Sequence, residues 1–266
     1  MRLRILKYCV VMLAVTIVAV PITARAQVLV TSPAEAPQDA DIGDWETTLT
    51  VPQPPDQWVT WSGASGTQES MVGYGGATFT PGGDRTKDGF RLRLEGGSGT
   101  YGYITQRTFG PLPIMGESTF GAALIGYQLS YGPWTAKAFA GIAYERHILG
   151  PDDLDNEVRG KKVGFKLSAE GWRNVGTNSF FALDANYSSP FSSYAANAKA
   201  GLGVWENIWV GLEAGAYGNS TLNAMKGGGF VRWRTSYGTL WVSGGVGGDY
   251  DNPETPYGTV LMVRSF

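Results

Sequence analysis

Charged side chains recur at every second position along several apolar stretches of this chain, and that spacing is the first clue to chemistry. In FRLRLE, Arg91, Arg93 and Glu95 alternate with Phe90, Leu92 and Leu94. Successive side chains of a β-strand face opposite sides, so one face is ionic and the other greasy. The same alternation puts Lys137, Lys166 and Glu170, Asp184, Lys199, Glu213, and Arg232 and Arg234 on the polar face of later stretches. Such mixed signs suit internal salt-bridge networks, or a charged path if the space they line is open. Catalytic arrangements are poorly represented. His147 is the only histidine, and although Glu145 is near enough to orient it, His147-Ile148-Leu149 offers no adjacent serine nucleophile. Asp152, Asp153, Asp155 and Glu157 form a dense acidic loop without the glycine and full spacing of a calcium loop, so a solvated loop is expected. No catalytic residue, metal ligand set or cofactor is expected.

The elements that must position these residues are strands. PGGD at 81–84 makes a tight reversal before the FRLRLE strand, with Met71–Thr80 as its partner. Further strand-like segments are Ser118–Tyr131, Trp134–His147, Val158–Arg173, Ser179–Tyr187, Tyr194–Trp205, Ile208–Tyr217, Gly229–Thr235, Thr239–Tyr250 and Tyr257–Phe266. Short turns at Gly132-Pro133, Asn174–Asn178, Glu206-Asn207 and Ser236–Gly238 alternate with longer connections at Thr105–Glu117, Ile148–Glu157, Ser188–Ser193, Gly218–Lys226 and Asp251–Thr255. That alternation is the pattern of an outer-membrane barrel, short on the periplasmic side. Parity then requires an upward first strand at Gln57–Gly63. The expected fold is all-β: a transmembrane antiparallel up-and-down outer-membrane β-barrel of about 12 strands (10–12). Aromatics fall into an inner band (Phe79, Phe90, Tyr131, Trp134, Trp172, Phe181, Trp205, Trp209, Trp233, Tyr237 and Phe266) and an outer band (Tyr103, Phe120, Tyr144, Tyr187, Tyr194, Tyr217, Tyr250 and Tyr257), as two membrane interfaces would select.

Composition fits that compartment. Residues 1–26 carry Arg2, Arg4 and Lys7, an apolar run from Cys9 to Ile22, and Ala24-Arg25-Ala26, which together read as a cleaved secretory signal peptide. Cleavage takes four of the 21 basic residues, leaving 17 against 23 acidic, a balance that gives no reason to expect a nucleic-acid partner. It also removes the single cysteine, and with it any thiol or disulfide chemistry. Residues 27–56 read as a Pro-rich periplasmic linker and 57–266 as the barrel. No later apolar run has the length of a spanning helix, so a mature chain that crosses a membrane must do so as a closed sheet. The expected location is the bacterial outer membrane.

Three stretches carry a resemblance to a known family: YGGATFTPGGDRTKDGFRLRL, GPWTAKAFAGIAYERHILGPDDLDNEVRGKKVGFKLSAEGW and SYAANAKAGLGVWENIWVGLEAGAYGN. With them the chain resembles the BcsS family of cellulose biosynthesis proteins over most of its mature length. The resemblance implies a non-enzymatic outer-membrane barrel associated with cellulose production and export, as pore, guide or docking element. It carries no catalytic residues. Partners expected on this basis are outer-membrane lipid and lipopolysaccharide, with cellulose or another β-glucan and other cellulose-secretion components as further candidates. Sugars bind through aromatic faces plus hydrogen bonds, which makes Trp172, Trp209 and Tyr217 candidates for glycan stacking. Three alternatives stay open: a small structural or substrate-specific porin unrelated to cellulose, an outer-membrane enzyme acting on lipid or glycan, and a soluble periplasmic β-protein with its apolar faces in a core.

Overall fold

The computed structural model describes residues 57–108, 110–249 and 252–266, the side chains of 252–254 excepted. The expected signal peptide and linker lie outside the described residues. Twelve strands form one closed antiparallel barrel in which every strand pairs with its sequence neighbours: β1 (Trp58–Thr67), β2 (Ser70–Phe79), β3 (Gly89–Arg107), β4 (Gly110–Tyr131), β5 (Trp134–Gly150), β6 (Gly160–Val175), β7 (Ser179–Ser188), β8 (Ser193–Trp205), β9 (Ile208–Gly218), β10 (Asn223–Thr235), β11 (Gly238–Asp249) and β12 (Asn252–Ser265). The ring closes where Val59 pairs with Ser265 and Thr67 with Tyr257. Trp58 and Phe266 exchange backbone hydrogen bonds of 3.0 and 3.1 Å at its lower end. Closure leaves no strand edge for lipid to face, the condition for a sheet to span a bilayer.

Alternation decides which side each residue takes. Phe90 and Leu94 are 61% and 63% exposed on the outer surface, while Arg91 and Arg93 are 2% exposed inside. The lower end carries the start of β1, the end of β12 and the two-residue turns 132–133, 206–207 and 236–237, and by these short turns it is the periplasmic end. Its one long turn, 80–88, is pinned back onto the barrel. Arg91 donates to the carbonyls of Phe90, Arg85 and Lys87, and Gln128 donates to the carbonyl of Arg85 at 2.7 Å.

The expected loop at Thr105–Glu117 is mostly strand. β3 and β4 stay paired out to Arg107 and Gly110, so the hairpin rises beyond the rim. Pro111 and Pro113 suggest a break, yet β5 pairs with β4 only as far as Met115, where it meets Gly150. Above that point β4 is an edge, where a proline costs no ladder bond. The outer aromatic band also needs correcting. Tyr144 and Tyr187 face outward, but Tyr257 is buried inside the barrel and Phe120 packs over Gly97 of the neighbouring strand.

That last contact is one of a set. Trp61 lies over Gly76, Tyr101 over Gly116, Phe139 over Gly126, Phe180 over Gly201 and Phe230 over Gly211, each ring covering the glycine directly opposite it. A Cβ at Gly126 would sit 2.3 Å from the Phe139 ring. These six glycines are the floor on which inward rings lie.

Candidate functional site

The barrel interior is filled by the side chains that alternation sends inward. Arg93 of β3 meets Glu170 of β6 at 2.6 Å, and Lys137 approaches the other oxygen of that carboxylate at 3.6 Å. Lys166 of β6 reaches Glu95 of β3 at 2.5 Å. On the far side Tyr257 of β12 donates to Glu213 of β9 at 2.7 Å, and Lys199 lies 3.2 Å from the second oxygen of Glu213. β3 and β6, like β9 and β12, are three strands apart, roughly 14 Å along the wall at the usual strand spacing. Contacts this short are chords that pass through the lumen. Asp184 accepts from Asn197 at 3.1 Å.

Toward the periplasmic end the chords give way to rings. Trp172 stacks on Phe180 with centroids 4.3 Å apart and planes 10° from parallel, and Phe180 meets Trp241 edge-on at 5.8 Å. The Arg232 guanidinium lies 4.6 Å from the Trp209 ring and within 5.6 Å of Trp172, Phe180 and Trp241. Arg234 sits over Trp209 and Lys199 over Trp241. A cation among ring faces is a favourable contact, of order 2 kcal/mol when desolvated. Trp61, Leu261 and Val263 complete this packed cluster.

The structure brings the candidate residues together unequally. Arg93, Glu95, Lys137, Lys166, Glu170, Lys199 and Glu213 join the ion pairs, whereas Arg91 serves the 80–88 turn and Arg232 and Arg234 serve the rings. Trp172 and Trp209 are buried in the cluster, and Tyr217 is half-buried near the outer end of β9.

At the outer mouth the connection after β7 folds inward. Phe191, in the 3-10 turn Pro190–Ser192, is fully buried; its ring meets His147 edge-on at 4.9 Å and takes the Lys162 ammonium at 4.3 Å. Phe191 and Ser192 both hold left-handed φ angles, 52° and 54°, and its carbonyl accepts from Ser220 at 2.9 Å. His147 Nδ1 is 3.0 Å from the Tyr101 hydroxyl. Sequence reasoning missed a serine here, because Ser118 faces His147 across the β4–β5 ladder. Its hydroxyl turns instead to the Gly99 carbonyl, at 3.4 Å. Glu145 does not orient His147; it accepts from Ser188 at 2.7 Å and Ser193 at 3.1 Å. The pieces of a hydrolytic triad are close, but they are wired to other partners.

The acidic loop differs from the expected solvated one. Asp153 is buried, accepting from Tyr103 at 2.9 Å and pairing with Arg107, which also pairs with Asp155 at 2.6 Å. The loop thus clamps the raised β3–β4 hairpin. Among the described residues no group of three or more His, Cys, Asp or Glu could hold a metal ion.

No match was found among curated proteins. Among solved structures, the chain is similar to a COG4313 outer membrane channel from Pseudomonas putida F1, at 14% identity and a TM-score of 0.47 over 86% of this chain and 100% of that one. It is similar to the KdgM porin at 9% identity and a TM-score of 0.44, over 78% of this chain and 99% of the porin. The family model of cellulose biosynthesis protein BcsS, in contrast, matches residues 59–266, the whole of the closed barrel after its first strand residue. This chain belongs to the BcsS family of cellulose biosynthesis proteins, as an all-β barrel of the bacterial outer membrane.

Proposed function

We propose that this barrel serves cellulose secretion as a guide or docking element at the outer membrane, with the glucan meeting its outer rim instead of running through its lumen. The observation that carries this reading is the filled interior. Chords tie β3 to β6 and β9 to β12, one face of Trp172 is covered by Phe180, and the Trp209 ring carries both Arg232 and Arg234. A sugar ring could stack on Trp209 only after an arginine had left, and on Trp172 only beside the Phe180 stack. Tyr217 has no ring stacked on it among the described residues, and of the three stacking candidates it is the one suited to an arriving glucan. Partners in this reading are a β-glucan at the rim, lipopolysaccharide around it, and other secretion components on the periplasmic side, where residues 27–56 would reach them. The barrel contributes binding and position, not bond-breaking chemistry.

Two measurements on one strain and one preparation test it. In planar bilayers the purified barrel should give no steady conductance, and a strain lacking it should still pass cellulose to the surface, with fibre attachment altered. A conducting barrel together with polymer held in the periplasm would overturn the docking role in favour of a pore. One observation favours a gated version of that second reading: Phe191 and Ser192 hold left-handed angles, a strained conformation costing on the order of 1–3 kcal/mol each. For a gate, Phe191→Gly should raise conductance; for a plug, it should leave the bilayer silent.

A further inference from the structure

On the outer surface of β5 and β6 the register places two cations side by side. Arg146 pairs directly with Lys161, and both are exposed on the outward face. Like charges opposite each other in a ladder destabilise it. Among the described residues neither side chain has an ion-pair partner. A third cation, Arg159, joins them from the loop after β5, held only by a long 3.8 Å contact with Asp152. The three border an open recess of about 840 Å³ that Tyr144 and Ile148 also line.

What lies beneath the cations identifies what they meet. One rung down, Tyr144 pairs with Val163, then Ile142 with Phe165, then Ala140 with Leu167, all facing outward. This is an apolar band of the kind that contacts acyl chains, and the cations stand at its upper border, where headgroups of the outer leaflet lie. Most other charges at this rim are acidic or engaged: Glu69, Glu157, and Arg107 held by Asp153 and Asp155. Glu117, one rung above Arg146, and Asp152 limit the positive field, so a headgroup must carry concentrated charge to gain from it.

We propose that Arg146, Lys161 and Arg159 form a binding site for the phosphate of a phosphorylated glycolipid of the outer leaflet, whose acyl chains lie along Ile142, Val163 and Phe165. Charge-assisted contacts from three cations to one phosphate relieve the repulsion that the ladder builds in. The site rests on the outer-membrane placement and is independent of whether the lumen conducts.

The test compares bisphosphorylated lipid A with the same lipid after enzymatic dephosphorylation, each titrated into the purified barrel in detergent and read by native mass spectrometry. The wild-type barrel should bind the phosphorylated lipid roughly tenfold or more tightly. The double variant Arg146→Gln, Lys161→Gln should lose that preference while Arg264→Gln, at the periplasmic end, keeps it. Without lipid the double variant should unfold at the same temperature or higher, since a repulsion has gone. Equal binding of the two lipids by the wild type, or an undiminished preference in the double variant, would overturn the proposal. Displacement of the lipid by millimolar inorganic phosphate alone would also overturn it, by assigning the site to free phosphate.

Discussion

At the scale of single residues, the interior is defined by pairs that cannot be broken one partner at a time. Glu170 faces both Arg93 and Lys137 inside the barrel. A buried ion pair gives back little beyond its desolvation cost, but removing one partner leaves the other charge in a poor solvent, at a cost of about 3–5 kcal/mol. Glu170→Gln should therefore lower the stability of the detergent-folded barrel by about 3 kcal/mol, read as a shift in the urea midpoint of its heat-modifiable band. Gly126→Ala tests the other kind of filling. The added methyl would meet the Phe139 ring at 2.3 Å and the Ala138 carbonyl at 2.5 Å, so turning the ring away does not make room. A loss of about 1–3 kcal/mol is expected, and near-wild-type stability of Gly126→Ala would overturn this packing; Gly132→Ala is the comparison for backbone conformation. Gly132 has open space for a Cβ but a left-handed φ of 55°, so it reports backbone conformation alone.

At the scale of elements, the turns and extensions carry the adaptable chemistry. In the 80–88 turn, Asp84 accepts from the Thr86 amide at 3.0 Å and the Thr86 hydroxyl at 2.6 Å, and pairs with Lys87 at 3.0 Å. These bonds, the Thr86 hydroxyl first, lower its carboxyl from 3.8 to about 2. Because the folded group is the more acidic, its contribution to turn order is complete above the unfolded value of 3.8 and fades as pH falls through about 2. A carboxyl titration followed by carbon-detected NMR should show a midpoint near 2; a midpoint near 4 would mean the turn does not hold these bonds in solution. The raised β3–β4 hairpin makes a separate expectation. Arg107→Ala removes its ties to Asp153 and Asp155, so amide exchange should quicken in 103–114 and 152–156 while the barrel wall stays protected.

At the scale of the whole molecule, closure is the property on which the others depend. β12 completes the ring by pairing with both β1 and β11. Deleting Tyr257–Phe266 would expose two strand edges and remove the Tyr257 bond to Glu213, so no heat-modifiable, membrane-inserted species should form. The same closed ring is crossed by its own side chains, with a raised hairpin above and a pinned turn below.

The chain by itself determined the face that the charged residues of β3 take, but not that of every aromatic. In FRLRLE the alternation of charge and grease can satisfy lipid on one side only, so Arg93 had to point inward wherever the strand was placed. Strand number followed from turn spacing and parity, and several of the ring–glycine contacts, such as Trp61 over Gly76, follow from hairpin register between neighbours. Contacts across the lumen did not. Arg93 and Glu170 are far apart in sequence and three strands apart in the sheet, and which inward residues share a level depends on strand tilt and stagger around a closed ring. The same reason hid the seat of Phe191 on His147 and the pairing of Arg107 with the acidic loop. Alternation assigns a side chain to a face; only closure of the barrel decides what it meets there.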